Sequence, residues 1–158
     1  MARIQNTFWQ RNKFKLSGLL LIFPIYFLYQ QLNVSFPDAW QTQQVGPFAV
    51  TPMPLDMKQP YSHHEDYVKD FMLMFEPGQI AQIRQGYLNI GPQPLPLAQL
   101  QQDDVGILHG SRHSQHVHGI APALTLSADD KVWLTLQDWQ GEVHVASWSL
   151  PDALIASR

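Results

Sequence analysis

Residues 67–76, with the sequence YVKDFMLMFE, form the clearest strand pattern in the chain and decide its fold class. Phe71, Leu73 and Phe75 alternate with the side chains at positions 70, 72 and 74. Alternation with a period of two predicts a strand with one buried face. The Pro-Gly pair that follows at 77–78 predicts a turn at the end of the strand.

Further strands are predicted on both sides of this segment. Residues 47–60 contain four prolines, which exclude a helix and suit an edge strand or an extended arm. Residues 79–90 are assigned to a strand, although part of their apolar spacing is also helical. Three β-patterned runs follow at 123–126, 131–137 and 142–150, joined by hairpin signals at 128–130 and 140–141.

The number and spacing of these strands predict a mainly β domain. Six or seven short strands with turn signals about 8 to 12 residues apart, in about 110 residues, are typical of an antiparallel immunoglobulin-like β-sandwich. We assign this domain to residues 47–151, after a polar connector at 38–46 and before a short tail at 152–158.

An uncharged apolar run precedes the domain. Residues 16–37, LSGLLLIFPIYFLYQQLNVSFP, have the length and composition of a single transmembrane helix. The segment 1–15 carries four basic residues and no acidic one, which predicts a cytoplasmic N-terminus. No small-x-small cleavage site follows, so an uncleaved signal-anchor is favoured over a cleaved signal peptide. The predicted location is the bacterial inner membrane, with a periplasmic domain.

Charge and cysteine content narrow the possible functions. All 13 acidic residues and six of the ten basic ones lie from Asp38 onward, so this part carries a formal charge of six minus 13, or −7. An acidic domain has no electrostatic basis for binding nucleic acid. The chain contains no cysteine, which excludes disulfides and thiolate ligands and weakly favours a periplasmic over a disulfide-rich secreted protein.

Histidine supplies the concentrated chemical signal, in the histidine-rich loop HGSRHSQHVHG at 109–119. On a strand, His116 and His118 point to the same face with Cα atoms about 7 Å apart, so both imidazoles can reach one metal ion. Glycines at both ends of the loop allow it to curl and bring His109 or His113 to the same centre. The alternative is a solvated surface loop, because the spacing matches no fixed metal-binding signature.

The identity of the ion depends on the neighbouring donors. Met72 and Met74 share a strand face and offer thioethers, which with imidazole favour copper. Carboxylates from Glu65 or Asp66 suit zinc or iron instead. In general build, an anchored sandwich with clustered histidine and methionine resembles small periplasmic copper carriers, although no sequence motif is shared. His63 and His64 are expected in an exposed turn, and His144 on a strand surface.

The sequence predicts no enzyme. It contains no serine nucleophile elbow, no phosphate-binding glycine loop and no haem attachment site. The first hypothesis is a membrane-anchored accessory subunit that interacts with a membrane or periplasmic protein partner. The second is a tethered domain that handles copper or iron for a neighbouring transporter, reductase or oxidase. The third, an enzyme, rests on the histidines alone.

Overall fold

The structure is a computed structural model that describes residues 7–102 and 104–155. It divides into two compact units, Met1–Ser35 and Phe36–Arg158. Residues 1–6 of the expected cytoplasmic segment and residues 156–158 of the expected tail lie outside the described residues.

The first unit contains two separate helices, α1 (Phe8–Leu19) and α2 (Ile22–Leu32). They are interrupted at positions 20–21, where the backbone forms turns instead of helix. Pro24 explains the interruption, because proline has no N–H for the carbonyl four residues earlier and its ring clashes with that carbonyl. The proline is tolerated where it stands, in the first turn of α2.

The prediction of a membrane-spanning helix over residues 16–37 is wrong. Among the described residues, no helix is both long enough and apolar enough to cross a membrane. The apolar helix α2 has 11 residues, which rise about 16 Å, whereas the hydrocarbon core is about 30 Å thick. The signal-anchor, the inner-membrane location, the cytoplasmic N-terminus and the periplasmic domain were all predicted from that helix, and all four are corrected with it.

The second unit is built mainly from strands. Its described residues form nine strands: β1 (Gln43–Val45), β2 (Phe48–Pro54), β3 (Tyr61–His63), β4 (Asp66–Phe75), β5 (Ile83–Gly91), β6 (His109–Gly110), β7 (Ser114–Ala121), β8 (Lys131–Asp138) and β9 (Val143–Ser149). A short helix, α3 (Leu97–Leu100), and two 3₁₀ turns, Ile80–Gln82 and Asp152–Leu154, complete the regular structure.

The strands make one continuous sheet in the order β1-β2-β4-β7-β5-β8-β9, with β3 paired to β4 and β6 paired to β7. The pairs are antiparallel except for the parallel contact between β5 and β7. The sheet curls until its two ends meet: Gln43 of β1 donates through Nε2 to the carbonyl of Ser147 in β9 at 3.1 Å. Trp148 Nε1 donates to the carbonyl of Gln41 at 2.8 Å.

The immunoglobulin-like sandwich is therefore wrong, although the mainly β class is right. A sandwich needs two separate sheets packed face to face, whereas here a single sheet is nearly closed on itself. The alternating pattern of each strand predicts one buried face, and both architectures bury one face of each strand. Strand order depends on long-range pairing such as β4 with β7, which local periodicity does not encode.

The core lies on the inner face of the curled sheet. Phe71, Leu73 and Phe75 of β4 face it, as their alternation predicts, and Val117 of β7 joins them. The other strands contribute further fully or nearly fully buried apolar side chains, among them Val50, Leu88, Ile90, Val132, Leu134, Leu136 and Trp148. The domain therefore has a substantial apolar core without disulfides.

One connecting segment differs from the sequence expectation, and two others contribute buried residues to the domain. Residues 123–126 form no strand, and Leu126 makes only an isolated bridge to Ile155. The loop that follows β5 contributes to the interior, because Leu100 of α3 is buried and Asn89 of β5 hydrogen-bonds the loop at positions 93 and 95. The start of the tail is a 3₁₀ turn anchored by buried Leu154.

Candidate metal centre

The outer face of β4 and β7 carries the histidine cluster. Along β7, buried Val117 alternates with the half-buried side chains of His116 and His118, which therefore share the outer face. In the antiparallel register, Asp70 of β4 lies opposite His118 and Met72 lies opposite His116. The β4–β7 pairing thus places a carboxylate and a thioether beside two imidazoles.

The short strand β6 brings a third imidazole to this face. His109 pairs with His116 in register, and Gly110 pairs with Gln115. Gly110 has a φ of 151°, and a Cβ there would lie 2.6 Å from the carbonyl oxygen of Ser114. The close approach of β6 to β7 therefore requires glycine at this position.

The three imidazoles form a compact cluster. His109, His116 and His118 each offer a ligand atom, and these atoms all lie within 4.8 Å of one another. His109 Nε2 is 3.1 Å from His116 Nδ1. Two nitrogens bound to one tetrahedral Zn²⁺ at about 2.05 Å would lie about 3.3 Å apart. The observed spacing is that of a hydrogen bond between the two rings, and it is also close to the spacing of two ligands on one ion.

Asp70 contacts two of the three imidazoles, and the shorter contact is with His118. Its Oδ1 lies 2.6 Å from His118 Nδ1 and 3.8 Å from His116 Nε2. The hydroxyl of Tyr61 on β3 donates to both Asp70 oxygens, each at 3.1 Å. A carboxylate that accepts from Nδ1 fixes the histidine tautomer and leaves Nε2 free to bind an ion.

The environment of the cluster shifts two pKa values. Burial lowers the pKa of His116 below its ordinary value of 6.5, and the neighbouring His118 and His109 lower it further, against the opposing effect of Asp70. Burial, together with the hydrogen bond and negative charge of Asp70, raises the pKa of Tyr61 to about 12. His116 therefore keeps an unprotonated, ligand-competent ring to lower pH than a free imidazole.

The candidate ligands from the sequence separate into two groups. His109, His116 and His118 come together, and Met72 lies beside them in register with His116. Met74 lies opposite Ser114, farther along the strands. His113 is exposed and lines a different cavity of about 580 Å³, with Gly78, Ile80, Ala81 and Arg112.

Three residues beside the cluster were not identified as site residues from the sequence. Asp70 contacts His118, and Tyr61 donates to Asp70. The ring of His63 stacks on that of His118 with centroids 5.2 Å apart. Asp70 lies on the polar face of β4, and the alternation of that strand was the signal in the sequence. Its partner on β7 could not be read from the pattern, because that pairing joins segments far apart in the chain.

A second group of side chains that could bind a metal ion has a structural role in the fold. Asp138, Glu142 and His144 lie at the β8–β9 hairpin, where Asp138 Oδ1 accepts from the backbone N–H of Glu142 at 2.9 Å. Although burial raises the pKa of Asp138, the backbone hydrogen bond from Glu142 and the contact with His144 hold it below its ordinary value. The His144 ring packs edge-on against Phe48, 5.9 Å between centroids. This group stabilises the hairpin and the adjoining strands.

Fold and site together define a protein with a curled, mainly β domain and a three-histidine cluster on its outer face. The chain belongs to the family described as uncharacterised conserved protein UCP029505, which matches residues 8–151 and so includes every residue of the cluster. No curated protein and no solved structure matches the chain significantly.

Proposed function

We propose that the protein binds one transition-metal ion through His109, His116 and His118. The observation that supports this most directly is the convergence of three imidazoles from two strands, with ligand atoms within 4.8 Å of one another. Three histidines with an open fourth position are an established ligand set for transition metals.

Copper is the ion that we propose, with zinc and iron as the alternatives. Imidazole suits all three metals, and a thioether shifts the preference toward copper in its cuprous form. Met72 is the available thioether, since it lies opposite His116 on the same face of the sheet. Asp70 supports binding of any of these ions by orienting His118.

The exposure of the three-histidine centre favours capture and transfer of the ion over its permanent retention. His109 is exposed, and the side chains of His116 and His118 are 26% and 33% exposed. An ion there is accessible from solvent or from a second protein, as capture and transfer require. We therefore propose that the domain captures copper and passes it on, for example to a transporter, reductase or oxidase.

Calorimetric titration of the full-length chain, purified without a polyhistidine tag, tests this proposal. Copper(II) and zinc(II) should each bind saturably at the centre, and copper(I), titrated without oxygen, should bind more tightly than zinc(II) because of the Met72 thioether. His109→Ala and the double variant His116→Ala/His118→Ala should lose this binding. His113→Ala is the matched control, because that histidine lies in the same loop but lines another cavity.

Two results would reject the proposed site. One is the absence of saturable binding by the wild-type protein. The other is a loss of affinity in His113→Ala as large as that in His109→Ala, which would indicate nonspecific binding to any histidine. The interaction with a protein partner, the lack of nucleic-acid binding and the lack of enzymatic activity stay predictions from the sequence.

A further inference from the structure

Two further histidines lie at the hairpin that connects β3 to β4. His63 pairs with Asp66 in register, so His64 and Glu65 form the two-residue turn between them. Side chains directly opposite in an antiparallel pair share a face of the sheet. Tyr61 and His63 of β3 therefore lie on the same outer face as the three-histidine centre.

The imidazoles of these two residues extend the cluster. The ring centroids of His63 and His64 are 4.4 Å apart, and His63 stacks on His118 at 5.2 Å with 15° between the ring planes. The rings of His118 and His116 are 4.6 Å apart, and those of His116 and His109 are 5.0 Å apart. Five imidazoles thus form a continuous row, His64, His63, His118, His116 and His109.

Both parts of this row open onto the same cavity. The cavity has a volume of about 310 Å³ and is lined by His63 and His64 together with His109 and His118 of the centre. Its remaining lining comes from Asp104, Val105 and Ile107. A liquid water occupies about 30 Å³, so the cavity has room for a hydrated ion.

The backbone at His64 is in the left-handed conformation. Its φ of 53° lies in the left-handed region, and it is the one non-glycine residue with positive φ among the described residues. Glycine adopts this conformation at no steric cost, and asparagine is among the other residues that tolerate it. The first central residue of a two-residue hairpin turn commonly adopts this conformation, and here it places an imidazole in the wall of the cavity.

We propose that His63 and His64 form a second, weaker binding position for the same class of transition-metal ion. This inference rests on the proposed function, since it extends the three-histidine centre along the same face. Two adjacent imidazoles supply two ligands, and water completes the coordination. Affinity is lower than at the centre because fewer protein ligands bind the ion. The row of rings gives an ion captured here a short path to the centre.

The test compares two substitutions at His64 in the full-length, tag-free protein. Wild-type protein titrated with copper(II) should show a tight step and a second, weaker step. His64→Gly and His64→Asn both suit the left-handed conformation, so each should keep or raise the melting temperature. Each should lower the affinity of the second step at least about tenfold and leave the first step unchanged. His113→Ala is the matched control and should retain both steps.

The outcomes separate this inference from the proposed function. A single tight step in the wild-type protein, or a second step unchanged in both His64 variants, overturns the inference and leaves the three-histidine centre in place. If the wild-type protein shows no tight step, the three-histidine centre is rejected instead. The double variant His116→Ala/His118→Ala then tests His63 and His64 alone. A weak step that remains supports the second position, and its absence rejects it.

Discussion

Asp70 Oδ1 lies 2.6 Å from Nδ1 of His118, its direct partner across the β4–β7 pair. The contact joins residues that are 48 positions apart in the chain. Through this contact, the polar face of β4 supports the histidine cluster. Tyr61 holds the same carboxylate from the neighbouring strand, so three strands fix the orientation of one imidazole.

The first prediction concerns this carboxylate. Asp70→Asn keeps an oxygen that can accept from His118 Nδ1 but removes the charge that makes the contact strong. We expect the metal affinity of the centre to fall about 10- to 100-fold, as for other groups that orient a ligand. Calorimetric titration measures the change. Asp129→Asn, at an exposed turn, is the control and should bind as the wild type does. Equal affinities of Asp70→Asn and wild type would exclude an orienting role.

The second prediction concerns the pKa of His116 and the pH dependence of stability in the metal-free protein. Because the pKa of His116 is lowered in the folded state, the folded protein binds fewer protons there than the unfolded chain. The contribution of this group to stability is therefore present above pH 6.5 and is lost as the pH falls through the lowered folded value. Nuclear magnetic resonance titration of the His116 ring protons measures that value directly.

Two variants test the causes of the pKa shift of His116, and they should change that pKa in opposite directions. His109→Ala removes a neighbour that lowers the pKa of His116, so the pKa should move back toward 6.5. Asp70→Asn removes the group that raises it, so the pKa should fall further. If the pKa of His116 moved in the same direction in both variants, the effects assigned to His109 and Asp70 would be wrong.

The third prediction concerns the glycine beside His109. Gly110→Ala places a Cβ against the carbonyl oxygen of Ser114 and should displace β6 from β7. His109 would then move away from His116, and metal affinity should fall at least about tenfold, since one of three ligands is lost.

Gly78→Ala is the matched control for this substitution. Gly78 also has a positive φ, 87°, but a Cβ there meets no atom within 4 Å. Both variants should lose stability through the backbone, and only Gly110→Ala should lose metal affinity. Equal metal affinity of the two variants would show that β6 does not position His109.

The fourth prediction concerns a buried lysine on β4. Lys69 is 2% exposed, and its Nζ donates to the carbonyls of Asp56 and Lys58 at 2.9 and 2.7 Å and pairs with Asp56 Oδ1 at 3.0 Å. Lys69→Met keeps the length of the side chain but removes these hydrogen bonds. The free energy of unfolding should fall by about 1–3 kcal/mol, because the two carbonyls lose their donor.

Urea denaturation measures this loss. Lys131→Met, at an exposed position on β8, is the control and should change the free energy of unfolding by less than about 0.5 kcal/mol. A similar loss in both variants would mean that the buried contacts of Lys69 make no net contribution.

Much of the local structure could be predicted from the sequence. The strands at β4, β5, β8 and β9 follow from alternation and turn residues, which act over a few neighbouring positions. The same periodicity places His116 and His118 on one face of β7. The helical segment was predicted less well, because the apolar composition of 16–37 favours a long helix while Pro24 interrupts it.

The sequence by itself determined the mainly β class, the buried face of each strand and the shared face of two histidines, since each depends on the two-residue repeat of an extended chain. Only the tertiary structure decided that the strands form one nearly closed sheet, that Asp70 supports His118 and that His109 and His63 join the cluster. These relationships depend on which strands pair and in which register. Pairing is selected by packing of the whole core, so no short segment of the chain specifies it.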